Sequence, residues 1–275
     1  MIFLGVYREE IFSPGKVEED AAILEAALRE LSRRGDQVST MRAERVDIAS
    51  VQPDVALIMA QSEPVLQALE GLRRRGTRVI NSTSAIRGCY RKALVHLLSK
   101  AGISFPRSIL LPLNGAEERI ALGFSPSYWL KRGDLHALQP GDVVKVSSRE
   151  ESKRGLDHFR RHGIEKILVQ EHVEGEVVKF YGVGPGQYFS AFLPSNGEEV
   201  TSKMEQLSLI SRRAAEAVGL EIYGGDAVVT AEGNPVLVDL NDWPSFSRCR
   251  HPAAIAISRY VTGIFEGGVY GPSIP

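Results

Sequence analysis

A parallel α/β unit followed by an α+β remainder is the fold class that this 275-residue sequence predicts. Three observations carry that expectation. Strand-like and helix-like segments alternate with short links over the first 81 residues, the pattern of a parallel sheet covered on both faces. From about residue 107 to 195 the segments are mostly strand-like, and between 223 and 241 two apolar arms flank turn residues, as in an antiparallel hairpin.

Residues 2–7 are apolar but short and have no basic leader, so they read as a buried first strand and not as a signal peptide. Over 17–34, Val17, Ala21, Ile23, Leu24, Ala27, Leu28 and Leu31 recur at helical spacing, and Gly35 is the stop. A short strand near 38–42, a strand over 54–59, a helix over 63–75 and a strand at 78–81 complete the first unit. It contains no G-x-G-x-x-G and no G-x-x-x-x-G-K-[ST], which argues against a Rossmann cofactor site or a P-loop.

The pattern is helical from 83 to about 103. Strands are expected over 107–112, 127–132, 142–147, 167–173, 177–184 and 187–193, with one helix at 150–162. A helix over 203–218 ends at Gly219, the hairpin follows, and 252–262 forms the last helix. Glycine and proline clusters at 112–115, 140–141, 184–186 and 195–197 are loops.

The chain is long enough to bury a sizeable core. Hydrophobic residues make up 43% and charged residues 24%, as in a globular protein without low-complexity segments. A formal net charge of −1 gives no global pull toward nucleic acid or an anionic membrane. No stretch approaches the roughly 20 apolar residues that span a bilayer. Cys89 and Cys249 are too few for a disulfide framework or a thiolate zinc site, and a reducing cytoplasmic setting fits them.

The hairpin is the most informative segment. If its loop holds an even number of residues centred between Glu232 and Gly233, Asp226 lies directly opposite Asp239. Like charges so placed destabilise a sheet. A hard divalent cation relieves that repulsion, because Mg²⁺ takes oxygen ligands from one or two carboxylates and from substrate phosphates. Asn241, two residues beyond Asp239, shares its face and offers a neutral oxygen. The other reading is an ordinary hairpin with its acids near solvent, and an odd-numbered loop would break the opposition.

Lys131 ends an aromatic and apolar strand, where a lysine either snorkels to solvent or meets an anion in a cleft. Lys179 poses the same question, and Lys92 alone would be surface charge. Three lysines near two acids make a phosphate pocket, with cations on the phosphoryl oxygens and acids on the metal. The strand ending in Gln170-Glu171-His172-Val173 is either a strand end in water or an edge whose backbone reads an adenine, with Glu171 or a following acid such as Glu176 taking the amine or ribose hydroxyls. Arg248, Arg250 and His251 follow the hairpin as a solvated helix start or as a clamp for a carboxylate or phosphate. Arg8 follows the first strand, at the carboxyl end where ligands of parallel α/β units sit. His136 is a loop histidine, and Asp47 and Glu63 read as surface.

Taken in order, these pieces resemble the ATP-grasp superfamily between about residues 80 and 250. The carriers are Asn81-Ser82, Lys92, Gly102-Ile103-Ser104-Phe105-Pro106, Lys131, Gln170-Glu171-His172-Val173-Glu174-Gly175, Val178-Lys179-Phe180-Tyr181, Gly225-Asp226, Asp239-Leu240-Asn241 and Pro244. The resemblance implies a three-part ATP-grasp fold. Its parts are an N-terminal parallel α/β domain (1–82) joined by a helical linker (83–106), a central mixed nucleotide-binding subdomain (107–170), and a C-terminal subdomain with an antiparallel sheet (171–275).

It also implies ATP held by Lys92, Lys131, Lys179 and the 170–176 segment, and Mg²⁺ on Asp226, Asp239 and Asn241. Arg248 and Lys179 would be catalytic, with Arg8, His136, Ser245, Arg248 and Arg250 toward the acceptor. The sequence departs from the family where residues 132–141 replace a glycine-rich loop, where Asp239 replaces a frequent glutamate, and where Ser245 replaces the glycine of Asn-x-x-Pro-Gly.

The function so implied is ATP-dependent ligation of a carboxylic acid to an amine through an acylphosphate. A kinase of a polyol or inositol phosphate is the alternative, favoured by His136 five positions after Lys131 and by Lys179 where peptide-type ligases often carry arginine. A nucleotide-binding regulatory module without turnover is the third. The partners are small molecules, with no nucleic acid and no membrane, and a homodimer is compatible with the sequence.

Overall fold

The computed structural model describes residues 1–265 apart from 46, 125–126 and 203, and residue 122 by its backbone only. The N-terminal unit runs β1 (Ile2–Tyr7), α1 (Val17–Arg33), β2 (Gln37–Arg42), β3 (Val55–Ile58), α2 (Glu63–Arg74) and β4 (Arg78–Ile80). All its pairings are parallel, in the order β2-β1-β3-β4. The chain order therefore reverses between β1 and β3, the crevice where open α/β sheets take ligands beyond the strand ends. The apolar stripe of α1 is buried through Ile23, Leu24, Ala27, Leu28 and Leu31, as its spacing predicts.

The expected helical run from 83 to 103 is two helices, α3 (Thr83–Gly88) and α4 (Arg91–Lys100). Tyr90 stands between them in an extended conformation, so the second helix starts afresh at Arg91. The central sheet has the order β5-β8-β6-β7, from β5 (Ser108–Pro112), β6 (Tyr128–Arg132), β7 (Val143–Val146) and β8 (Lys166–Glu171). One face is closed by α6 (Arg149–Arg161) and by α5 (Ala116–Gly123), a helix in a stretch where no element is expected from the pattern of residues. The shared core includes Leu130, Val146, Leu156, Phe159, Ile167 and Val169. Alternation places Trp129 and Lys131 on the opposite face.

The third sheet is antiparallel, order β10-β9-β11-β12, from β9 (Glu176–Val183), β10 (Tyr188–Phe192), β11 (Ile222–Val229) and β12 (Pro235–Asp242). One face packs on α4 and α7 (Met204–Val218). Lys203, where that helix was expected to begin, lies outside the described residues, as do residues 266–275 of the C-terminal segment. The other face shares a core with α8 (Arg250–Gly263) and α1, so the first and third units are packed as one body through Phe3, Leu24, Tyr181, Trp243, Phe246 and Ile257. Buried Asn81 fastens them, accepting from the Glu221 and Ile222 amides at 2.8 and 2.9 Å and donating to the Ile222 carbonyl at 2.7 Å. Among the described residues no helix is long and apolar enough to cross a membrane.

Candidate functional site

Lys179, Asp226 and Asp239 stand directly opposite one another on three adjacent strands. The loop is odd-numbered, contrary to the even loop supposed from sequence. Val229 pairs with Pro235, and the turn closes through Gly233 N–H to Thr230 O at 2.8 Å, with Gly233 at φ +80°. Ala227 accordingly pairs with Leu237, a register that would leave Asp226 opposite Val238. A bulge at this point makes Val238 the extra residue and brings Asp239 opposite Asp226. The carbonyl of Val238 receives Lys131 Nζ from β6 at 3.3 Å. One irregularity thus opposes the two acids and presents the Val238 carbonyl to the lysine of the facing sheet.

The charges here are poorly solvated. Burial pulls the Lys131 ammonium down to about 8, opposed by Asp239. Burial lifts the Asp226 carboxyl above the usual carboxylate range although Lys179 lies 3.5 Å away, and Asp239 adds to the rise. Burial alone would lower Lys179, but Asp226 reverses the shift and the ammonium is stabilised. Asn241, opposite Gly224, lies on the face of the two acids. Among the described residues no cluster of three or more His, Cys, Asp or Glu side chains gathers to hold a metal. Two opposed carboxylates and one amide oxygen fit Mg²⁺, which completes its octahedron with phosphate oxygens and water. They do not fit a metal that needs a full protein cage.

The cation on the helical linker is Arg91, not Lys92. Lys92 is exposed, whereas Arg91 is 4% exposed and donates to the Arg132 carbonyl at 2.9 Å. Burial depresses its guanidinium pKa and Asp239 supports the charge. The adjacent charge run Arg91-Lys92 was the only signal in the sequence, and the phase of α4 decides which side chain turns inward.

At the end of β8, an inner strand of the central sheet, Gln170 is buried and donates to Ser108 Oγ at 3.2 Å, while Glu171 is paired with Arg107 at 2.9 Å. His172 is held by Trp129 Nε1 at 3.1 Å and Lys145 Nζ at 2.7 Å. These side chains are committed to protein partners, and the backbone of Gln170 and Glu171 is paired in the sheet, with the Glu171 amide donating to the Arg107 carbonyl at 2.9 Å. Glu176 is exposed at the start of β9.

The loop after Lys131 is organised by side chains where glycines are few. Asp142 is fully buried and accepts from Arg132 at 3.1 Å and from the Leu138 and Gln139 amides at 2.9 and 3.2 Å. Arg132 also forks onto Asp134 at 2.7 and 2.8 Å. His136, at the loop tip, lies across the gap against Phe12, with ring centroids 6.1 Å apart and Nε2 3.4 Å from the Phe12 carbonyl.

A cleft of about 750 Å³ runs under this loop, between the N-terminal unit and the end of the hairpin. Its lining includes Gln61, His136, Lys179, Asn241, Ser245 and Arg248. Trp243 and Phe246 hold positive φ values of 36° and 48° in the turn beyond the hairpin. Both are fully buried, and their packing offsets the cost of that backbone.

Arg248 is exposed at the rim and lies against Gly197, whose φ of +80° and missing side chain give the guanidinium room. Two other expectations are corrected. Arg250 starts α8 and reaches Glu19 O on α1 at 3.5 Å, outside the cleft lining. Arg8 lines the cleft but spends its donors on protein: Met59 O at 3.3 Å, Asp20 at 3.1 Å, and the Asp242 and Trp243 carbonyls at 3.3 and 2.9 Å. Four of its five N–H groups thus tie the domains together, in place of the acceptor contact expected from sequence.

No protein-family model matches the sequence, and no curated protein matches it. Solved structures do match it. The RimK-domain ATP-grasp protein of Sphaerobacter thermophilus is similar at a TM-score of 0.72 and 19% identity, over 95% of this chain and 100% of that one. The D-alanine–D-alanine ligase of Bacillus anthracis complexed with ATP gives 0.74 at 14% identity, over 98% and 97%. The VanG D-Ala:D-Ser ligase of Enterococcus faecalis gives 0.72 at 13%, over 96% and 99%. Parallel N-terminal sheet, central sheet and antiparallel C-terminal sheet thus recur across whole chains, and this chain has the ATP-grasp fold.

Proposed function

We propose that this protein is an ATP- and Mg²⁺-dependent ligase that joins a carboxylic acid to an amine. The observation that carries the reading is the convergence of Lys131 and Arg91 on the Lys179–Asp226–Asp239 row, whose Lys179 lines, with Asn241, the cleft that also presents Arg248. Similarity to the D-alanine–D-alanine ligase and the D-Ala:D-Ser ligase supports it at the level of reaction class.

Lys131, Arg91 and Lys179 serve to hold phosphoryl oxygens, because each is a poorly solvated cation turned toward the two acids. Asp226, Asp239 and Asn241 serve to hold the metal, which when bound supplies charge withdrawal from the transferred phosphoryl group. The acid is activated as its acylphosphate and the amine displaces phosphate. Arg248 has no hydrogen-bond or ion-pair partner among the described residues, and it serves to bind the acid and to stabilise the oxyanion of the tetrahedral intermediate. The loop from 133 to 142 reaches the N-terminal unit and excludes water from the reacting carbonyl.

The test is an acceptor screen read by ADP release and product mass. The expected product is an amide that forms only when acid, amine, ATP and Mg²⁺ are all present. A phosphorylated alcohol from a single acceptor would instead identify a kinase. Nucleotide-dependent stabilisation with no ADP from any pair would identify a regulatory module.

A further inference from the structure

Two acceptor oxygens in the wall of the cleft have no donor. Asp242 is 3% exposed and Gln61 is 5% exposed, and both residues line the cleft. They share one hydrogen bond, Gln61 Nε2 to Asp242 Oδ1 at 3.0 Å. Asp242 Oδ2 and Gln61 Oε1 are buried with no hydrogen-bond partner. An unsatisfied buried acceptor is costly, so two of them on hydrogen-bonded neighbours in the cleft wall point to a donor that the protein does not supply.

The recorded hydrogen bonds of the neighbouring donors go elsewhere. Arg8 gives four of its five N–H groups to Met59, Asp20 and the Asp242 and Trp243 carbonyls. The Tyr90 hydroxyl donates to the Gln61 carbonyl. The Gln61 and Ser62 amides go to the two oxygens of Glu9, at 2.9 and 3.0 Å. Charge points the same way: the buried carboxyls of Asp20 and Asp242 share the Arg8 guanidinium, and the Glu9 charge acts against that of Asp242. A ligand here must bring N–H groups and positive charge.

Position agrees with charge. Gln61 follows β3 and Arg8 follows β1, so the pair stands at the β1/β3 crossover of the N-terminal sheet, where the reversal of strand order opens a crevice. Asp242 ends β12, one residue beyond Asn241 of the candidate metal site.

We propose that Asp242 Oδ2 and Gln61 Oε1 form an ammonium subsite that takes the N–H groups of a protonated primary amine on the acceptor. Naming the acceptor as occupant rests on the ligase reading. The affinity for an ammonium group does not. A primary ammonium brings three donors and a unit charge, enough to satisfy both oxygens, whereas a hydroxyl brings one donor and no charge. The subsite therefore selects amines over alcohols.

The test uses the full chain without ATP or acid, with methylammonium chloride as probe and tetramethylammonium chloride as control at equal ionic strength. The control has the charge but no N–H. Methylammonium is expected to raise the unfolding midpoint of the wild-type chain above that in the control salt. Asp242→Asn, which turns an acceptor into a donor, is expected to abolish the difference. Gln61→Met is expected to weaken methylammonium binding about tenfold, the loss of one charge-assisted hydrogen bond. Equal midpoints in the two salts would overturn the proposal and show that the oxygens hold only water, and so would an Asp242→Asn response equal to wild type. Should either variant fail to fold, the wild-type comparison decides alone. Because no nucleotide is present, failure here is separate from failure of the amide-forming screen.

Discussion

Asp226 and Asp239 face each other across β11 and β12 only because Val238 is bulged out of the ladder. A sheet gains nothing from two carboxylates in that relation, and relief of like charge is worth about 0.2–1 kcal/mol. Asp239→Asn relieves that repulsion but also withdraws the counter-charge of buried Lys131 and Arg91, so in the metal-free chain the two effects oppose each other. The same change should remove the Mg²⁺-dependent part of nucleotide stabilisation. Urea unfolding with and without ADP and Mg²⁺ measures both. A variant that keeps the Mg²⁺ effect would count against the metal assignment.

The opposition of the two acids was legible in the sequence, but the reason for it was not. Counting from the turn assumed an even loop, and the odd loop and the bulge cancel. A bulge leaves no mark in an apolar strand, because Val238 serves equally well paired or unpaired. Long periodic elements such as α1 and α7 were readable, since burial of one face demands their spacing. The short α5 was not, and neither was the break between α3 and α4. Arg8 looked like a substrate residue because it ends a parallel strand. Its four acceptors come from segments as distant in sequence as Trp243, which no local pattern reveals.

Arg91 and Lys92 separate the two phases that α4 could take. Successive helical residues differ by about 100°, so only one of them can face the cleft. Arg91→Met should abolish nucleotide-dependent stabilisation, since it removes a buried cation beside Lys131. Lys92→Met should leave that stabilisation intact and change stability by no more than about 0.5 kcal/mol, as for other exposed positions. Thermal shifts with ADP and Mg²⁺ on the two variants provide the comparison, and the reverse ranking would restore Lys92 as the phosphate ligand.

Asp142 does by hydrogen bonding what glycines do elsewhere by backbone freedom. Its carboxylate collects Arg132, two loop amides and His158, and the favourable contacts with the Leu138 amide and Arg132 hold its pKa below the usual carboxylate value although burial opposes them. Asp142→Ala leaves a buried guanidinium with one partner fewer and two amides with none. The cost should be about 3 kcal/mol, the low end for a broken buried ion pair, because Arg132 keeps Asp134. Limited proteolysis should then cut first within 133–142. Unchanged cleavage and an unchanged unfolding midpoint would mean that the loop is ordered by something else.

His136 gives that loop a dependence on pH whose sign is fixed by its surroundings. Burial and then the Arg8 charge push the imidazole pKa down to about 4, against the pull of the Phe12 carbonyl and Asp239, with Arg91 opposing protonation as well. In the unfolded chain the same ring titrates near about 6.5. Between those values the unfolded state binds more protons, so stability rises with pH across the window. The contribution is complete above the unfolded value and is lost as pH falls toward about 4. His136→Phe keeps an aromatic ring against Phe12 but cannot take up the proton. At neutral pH the variant should be the less stable of the two, having lost the hydrogen bond to the Phe12 carbonyl. As pH is lowered the wild type should lose its lead at up to about 1.4 kcal/mol per pH unit. Urea midpoints for both chains at a series of pH values supply the difference curve, in which the acid sensitivity of all other groups cancels. A difference that stays constant from neutral pH to below 5 would mean that His136 is solvated and that the loop does not close on the N-terminal unit.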